Sequence, residues 1–94
     1  SSSEDSCDSL SFITEIHPHE PGVHSLKVKN IVIVSLGVGN RVEIYNSLGE
    51  LCGYLTSKGS VSRLIACMKK GNEYKGIVAT ILNGRYDIEI SPIK

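Results

Sequence analysis

Ninety-four residues with ten basic and ten acidic side chains make one small domain with no net charge. A chain of this size buries roughly 60–68% of its extended surface, enough for one modest core. The zero balance argues against a protein wholly devoted to nucleic acid, and no window nears the ~20 apolar residues of a membrane helix.

The chain opens with SSSEDSCDSL, rich in serine and acid and almost free of apolar residues. Residues 1–10 are therefore expected to be a disordered acidic linker, with a single domain over 11–94. SFITEI (11–16) reads as a short strand. HPHEPG (17–22) reads as a loop, because Pro18 and Pro21 oppose regular pairing. VHSLKVKN (23–30) and IVIVSL (31–36) read as two strands or one long bent strand, and GVGN (37–40) as a turn.

RVEIYN (41–46) alternates Val42 and Ile44 against Glu43 and Tyr45, the pattern of a half-buried strand. SLGE (47–50) is a tight connection with Gly49 suited to positive φ, and LCGYLT (51–56) is the partner strand. The second glycine of that pair, Gly53, reads as a bulge or a point of close backbone approach.

The period then changes. Val61, Leu64, Ile65 and Met68 recur at i, i+3, i+4, i+7, one apolar face of a helix. Ser57 or Ser60 is expected to cap its start and Gly71 to end it. YKGIVATIL (74–82) and RYDIEISPI (85–93) flank Asn83-Gly84, a strong short-range hairpin signal. The fold expected is α+β and mostly β: a small six-stranded antiparallel OB-like barrel with one amphipathic helix after the fourth strand, which hides its edges by closing.

Charge and cysteine placement add two readings. Residues 1–54 hold three basic against seven acidic side chains, and 55–94 the reverse, seven against three. Cys7, Cys52 and Cys67 form no CxxC pair, so neither a zinc framework nor a redox motif is expected. Cys52 and Cys67 read as small hydrophobes, which fits a reducing compartment, nuclear or cytoplasmic.

Catalytic patterns are weak. Gly37-Val38-Gly39 lacks the third glycine and the following helix of a dinucleotide loop. His17, His19, Glu20 and His24 lie close in sequence, but the prolines hold them extended and no further ligand follows at suitable spacing. No serine sits in a nucleophile-elbow setting, and Asp87 and Glu89 read as a solvated strand face. Neither an enzyme, a metal nor a cofactor is expected.

The run Asn40-x-Val42-x-Ile44-x-Asn46-x-x-Gly49-x-x-x-Gly53-Tyr54-Leu55, followed by an amphipathic helix and two strands, resembles the HIRAN domain. The likeness covers roughly residues 26–90. HIRAN domains are small β-barrels, similar to an OB fold, carried by DNA repair and remodelling proteins, and some hold the 3′ end of single-stranded DNA. The resemblance implies a nucleic-acid-binding module of a larger protein, acting as a monomer away from any membrane. Tyr54 matches the ring that follows the family's second glycine, and Asn40 the asparagine that opens the strand. With the tyrosines and basic groups around them, the expected contacts are Asn40, Tyr45, Tyr54, Lys58 and Arg63, by base stacking and phosphate pairing.

One departure matters. Where the family carries His-Asn-Pro-Tyr-Asp-Pro-Asn-Ala, this chain has Ser35-Leu36-Gly37-Val38-Gly39-Asn40. The alternative expectation is a protein-interaction module on the same scaffold, its DNA-end site lost and a partner peptide bound at a sheet edge or the helix face.

Overall fold

Asn83 and Gly84 both take positive φ, 53° and 80°. This is the backbone of a two-residue turn whose twist matches that of its flanking strands. They join β5 (Tyr74–Leu82) to β6 (Arg85–Pro92), paired from Leu82↔Arg85 to Tyr74↔Pro92 with one bulge between Val78 and Thr80. The computed structural model describes residues 7–55 and 59–93.

The remaining strands are β1 (Phe12–Pro18), β2 (Ile31–Leu36), β3 (Val42–Tyr45) and β4 (Leu51–Leu55). All six close into one antiparallel barrel in the order β1-β4-β3-β2-β5-β6. Closure gives every strand a neighbour on each side, so a peptide at a sheet edge, one form of the alternative, would meet only stretches that outrun their partner, such as Thr80–Leu82 of β5 beyond its pairing with β2.

Alternation decides which side chains enter the barrel. Val32, Val42, Ile44, Cys52, Val78, Ile88 and Ile90 are fully buried, whereas Ile31, Ile33, Glu43 and Tyr45 stand on the outside. One helix, α1 (Ser60–Lys69), follows β4 and adds Val61, Leu64, Ile65 and Cys67 to the same core, with Met68 packed against it. Its C-terminus ends as expected at Gly71 (φ 101°). The Gly71 N–H donates to the Met68 carbonyl and the Asn72 N–H to that of Cys67, the paired bonds of a Schellman end. The start differs: Gly59 precedes the helix and no side chain caps it. Ser57, the other expected cap, lies outside the described residues.

Three expectations along the chain are corrected. Residues 23–30 are not a strand; a 3-10 turn, Gly22–Ser25, buries Val23, and Leu26 follows it into the core. The strand β1 runs two residues past its expected end and stops at Pro18, where the missing N–H falls at the strand's last position. Here β1 leaves β6 and meets β4 through His17↔Tyr54 and Pro18↔Gly53, and the His19 N–H extends the seam to the Cys52 carbonyl at 2.9 Å.

The third correction concerns the amino-terminal segment. Within the expected linker, Cys7 and Leu10 are buried, and Cys7 forms a disulfide with Cys67 of α1. The Tyr74 hydroxyl donates to the Cys7 carbonyl at 2.6 Å; burial raises the pKa of that hydroxyl, with the charge of Asp8 adding to it. Cys67 is thus a cross-link rather than a small hydrophobe. The expectation of a reducing compartment then rests on Cys52, the free and buried thiol.

The β3–β4 turn is pinned by Asn46, which is buried and fully bonded. Its Oδ1 accepts the Leu48 and Glu50 N–H groups, and its Nδ2 donates to Ser25 Oγ and Glu50 Oε1, all at 2.8–3.0 Å. Ser25 Oγ donates in turn to the Gly22 carbonyl at 2.8 Å, so one amide ties the hairpin to the 3-10 turn. Asn46→Ala strands two backbone donors, and we expect it to lower stability by about 2 kcal/mol in denaturant unfolding. Asn46→Asp, which keeps the acceptor, should recover part of the loss.

Candidate ligand-binding face

Pairing across the barrel sets its outward side chains in rows. One row runs Ser35 (β2), Glu43 (β3), Tyr54 (β4), His17 (β1). The next runs Ser91 (β6), Lys75 (β5), Ile33 (β2), Tyr45 (β3), Leu51 (β4). The shift from Glu43↔Tyr54 to Tyr45↔Leu51 requires a bulge, and Cys52 is the extra residue. The Glu43↔Tyr54 pair and the alternation of β3 put Tyr45 and Tyr54 on one outer face, and the bulge brings Leu51 outward beside Tyr45.

Tyr54 is the centre of the first row. The Arg41 guanidinium carbon lies 4.8 Å from its ring centroid, a cation–π contact. The His19 ring meets it edge-on, centroids 5.8 Å apart at 74°. Beside them the Tyr45 hydroxyl donates to Glu43 Oε1 at 2.6 Å. That hydrogen bond to a carboxylate is the main reason the Tyr45 hydroxyl is raised above its usual pKa, since losing the proton would set two negative charges together. Gly37 makes room for the carboxylate: a Cβ there would lie 2.7 Å from the Glu43 carboxyl carbon.

The five residues expected from sequence separate. Tyr45 and Tyr54 come together. Asn40, in the left-handed conformation at φ 62°, lines a cleft of about 310 Å³ with Ser62, Ile65, Ala66 and Lys69 of α1. Arg63 is exposed on the helix outside that lining, and Lys58 falls outside the described residues. Arg41 and His19 were not expected, although the hairpin register carries the signal for Arg41. Pairing Glu43 with Tyr54 puts the residue two before Glu43 on the same face, diagonal to the ring.

The histidine cluster is dispersed. His17 stands in the Tyr54 row, His19 against the ring, and His24 Nε2 lies 3.0 Å from Glu20 Oε2 on the surface. Among the described residues no three His, Cys, Asp or Glu side chains gather as metal ligands. The Cys52 thiol donates towards the Gly22 and Glu50 carbonyls, and burial pushes its pKa up.

No family model matches the chain. No curated protein matches it either. Its fold is similar to that of a solved Lactobacillus plantarum protein, with a TM-score of 0.67 at 13% identity over 85% of this chain and 94% of that one. At that identity the likeness concerns the barrel alone.

Proposed function

We propose that the domain is a non-catalytic, HIRAN-like module of a larger protein that binds single-stranded nucleic acid on the Tyr54 face. The observation that carries this reading is the half-exposed Tyr54 ring with a guanidinium over it and Tyr45 alongside. A tyrosine face stacks on any base, and the arginine beside it is placed to move from the ring to a phosphate. Glu43 is an acceptor for exocyclic base amines and disfavours a phosphate directly above it, which fits one or two nucleotides rather than a long tract. The buried, high-pKa thiol of Cys52 is a poor nucleophile, in keeping with a binding role.

Fluorescence anisotropy with a labelled oligothymidylate across a salt series tests this. Tyr54→Ala should weaken binding about tenfold or more, the share of one stacked base. Arg41→Ala should weaken it and flatten the salt slope by about 0.7, the share of one phosphate on a single strand. Blocking the 3′ hydroxyl reports whether the end is read. Absence of binding at about 20 mM salt with micromolar protein rejects the proposal, since electrostatic contacts are strongest there.

A further inference from the structure

Below the Tyr54 row the same barrel turns apolar. Ile33 of β2 lies between Lys75 and Tyr45, and Leu51 follows Tyr45 on β4. Ile31 pairs with Ile77 one row down. Ile31 and Ile33 are 61% and 50% exposed, far more than inward neighbours such as Val32 at 0%. Beyond Ile31 the surface dips into a cleft of about 410 Å³ between residues 25–31 and the β3–β4 turn. Ile31, Leu48 and Lys29 are among its lining, and Leu48 is 79% exposed.

The polar groups here are unequal. Lys29 and Lys75 flank the isoleucines, and among the described residues neither ammonium is paired with a carboxylate. Of the acids around the face, Glu43 is engaged by the Tyr45 hydroxyl and Glu50 by the Asn46 amide, whereas Glu73, two residues before Lys75, is exposed and belongs to the acidic border. Glu89, opposite Ile77 on β6, belongs to the same border. A contiguous apolar surface edged by unpaired cations is complementary to a segment that alternates apolar and acidic residues.

We propose that the β5–β2–β3 face with its adjoining cleft docks a short extended peptide carrying apolar and acidic side chains. Its apolar groups cover Ile31, Ile33 and Leu51 or enter the cleft beside Leu48, and its carboxylates meet Lys29 and Lys75. The row from β5 to β4 crosses three strand spacings, about 14 Å, which suits about four extended residues. The rows of this face present side chains rather than backbone groups, so side chains carry the contact. The proposal does not depend on nucleic-acid binding: its central residues belong to other rows than Tyr54, and the two surfaces meet only at Tyr45.

The experiment is amide shift mapping of the ¹⁵N-labelled chain with three synthetic probes. These are a short peptide of alternating aspartate and leucine, a lysine–leucine counterpart and an aspartate–serine counterpart. At about 1 mM, the weak end of specific association, the aspartate–leucine peptide alone should shift residues 29–33, 45–51 and 75–77. Ile33→Thr, which keeps an outward β-branched residue, should weaken it about fivefold. Lys75→Glu should weaken the aspartate–leucine peptide and admit the lysine–leucine one, a gain that loss of folding cannot produce. Equal shifts from all three peptides, no shifts, or shifts confined to His19, Arg41 and Tyr54 overturn the proposal. So does an oligothymidylate that shifts these same amides when the aspartate–leucine peptide does not.

Discussion

Replacing Cys7 and Cys67 together by alanine lowers the unfolding free energy by about 4 kcal/mol, the value chain entropy assigns to a cross-link of this span. The two are 60 residues apart, so the bridge closes a loop containing most of the barrel. Without it the unfolded chain gains the freedom that the loop denied it. In the folded state, Leu10 and the Cys7 carbonyl that accepts from Tyr74 lose their anchor to α1. Against the 5–15 kcal/mol typical of small domains, this is a large share of total stability. Urea unfolding with and without a thiol reductant checks it. The reductant should lower the wild-type midpoint to near that of the double variant and leave the variant unmoved. An unchanged wild-type midpoint shows that the cross-link contributes nothing. If the protein works in a reducing compartment, the lower value is its working stability.

Why this bridge was not legible follows from its parts. Cys7 sits among serines and acids, with Leu10 its lone apolar companion, so local composition reads as linker. The cross-link depends on where the barrel puts the end of α1, and three cysteines carry no connectivity in their order. The 3-10 turn at Gly22–Ser25 was hidden for a related reason. Its conformation is set from a distance, by Asn46 through Ser25 and by the Cys52 thiol at the Gly22 carbonyl. Val23 and Leu26 enter the core from a turn, so their apolar character mimicked a strand. Local signals succeeded where the cause was local: Asn83-Gly84 dictated its own turn, 42–45 its own alternation, and Val61, Leu64 and Ile65 their own face.

The binding face shows the same division. Tyr45 and Tyr54 could be picked out because tyrosines are nearly all the aromatic content. Asn40 could not be placed, because a motif position says nothing about which side of a left-handed turn it occupies; the helical period put Arg63 on the exposed face of α1, where it stands, but could not say which rows of the barrel that face adjoins. Arg41 and His19 belong to the face through pairings between strands, Arg41 by the β3–β4 register and His19 by the seam between β1 and β4. A site on the outside of a closed barrel is assembled from rows, and rows exist only once register is fixed.

That seam makes Gly53 the most consequential glycine for the face. A Cβ at Gly53 would lie 2.6 Å from the His17 carbonyl oxygen and 3.0 Å from Ile16 Cδ1. The first neighbour is backbone, and it belongs to the strand that meets β4 through His17↔Tyr54, Pro18↔Gly53 and the His19 N–H bond that follows them. A methyl group can be accommodated only by moving β1 away from β4. We therefore expect Gly53→Ala to cost about 3 kcal/mol, the upper part of the range for overpacking, and Gly53→Val more. The damage should be directional. The His19 N–H, bonded to the Cys52 carbonyl, should lose hydrogen-exchange protection, whereas β5–β6 amides lose only what the global destabilisation removes. Because His19 also borders the Tyr54 ring, oligonucleotide binding should weaken even under conditions where the variant is fully folded. A Gly53→Ala protein within about 0.5 kcal/mol of wild type, the scatter of ordinary surface substitutions, would show that β1 and β4 do not approach this closely. The Tyr54 face would then owe its geometry to the β3–β4 register alone.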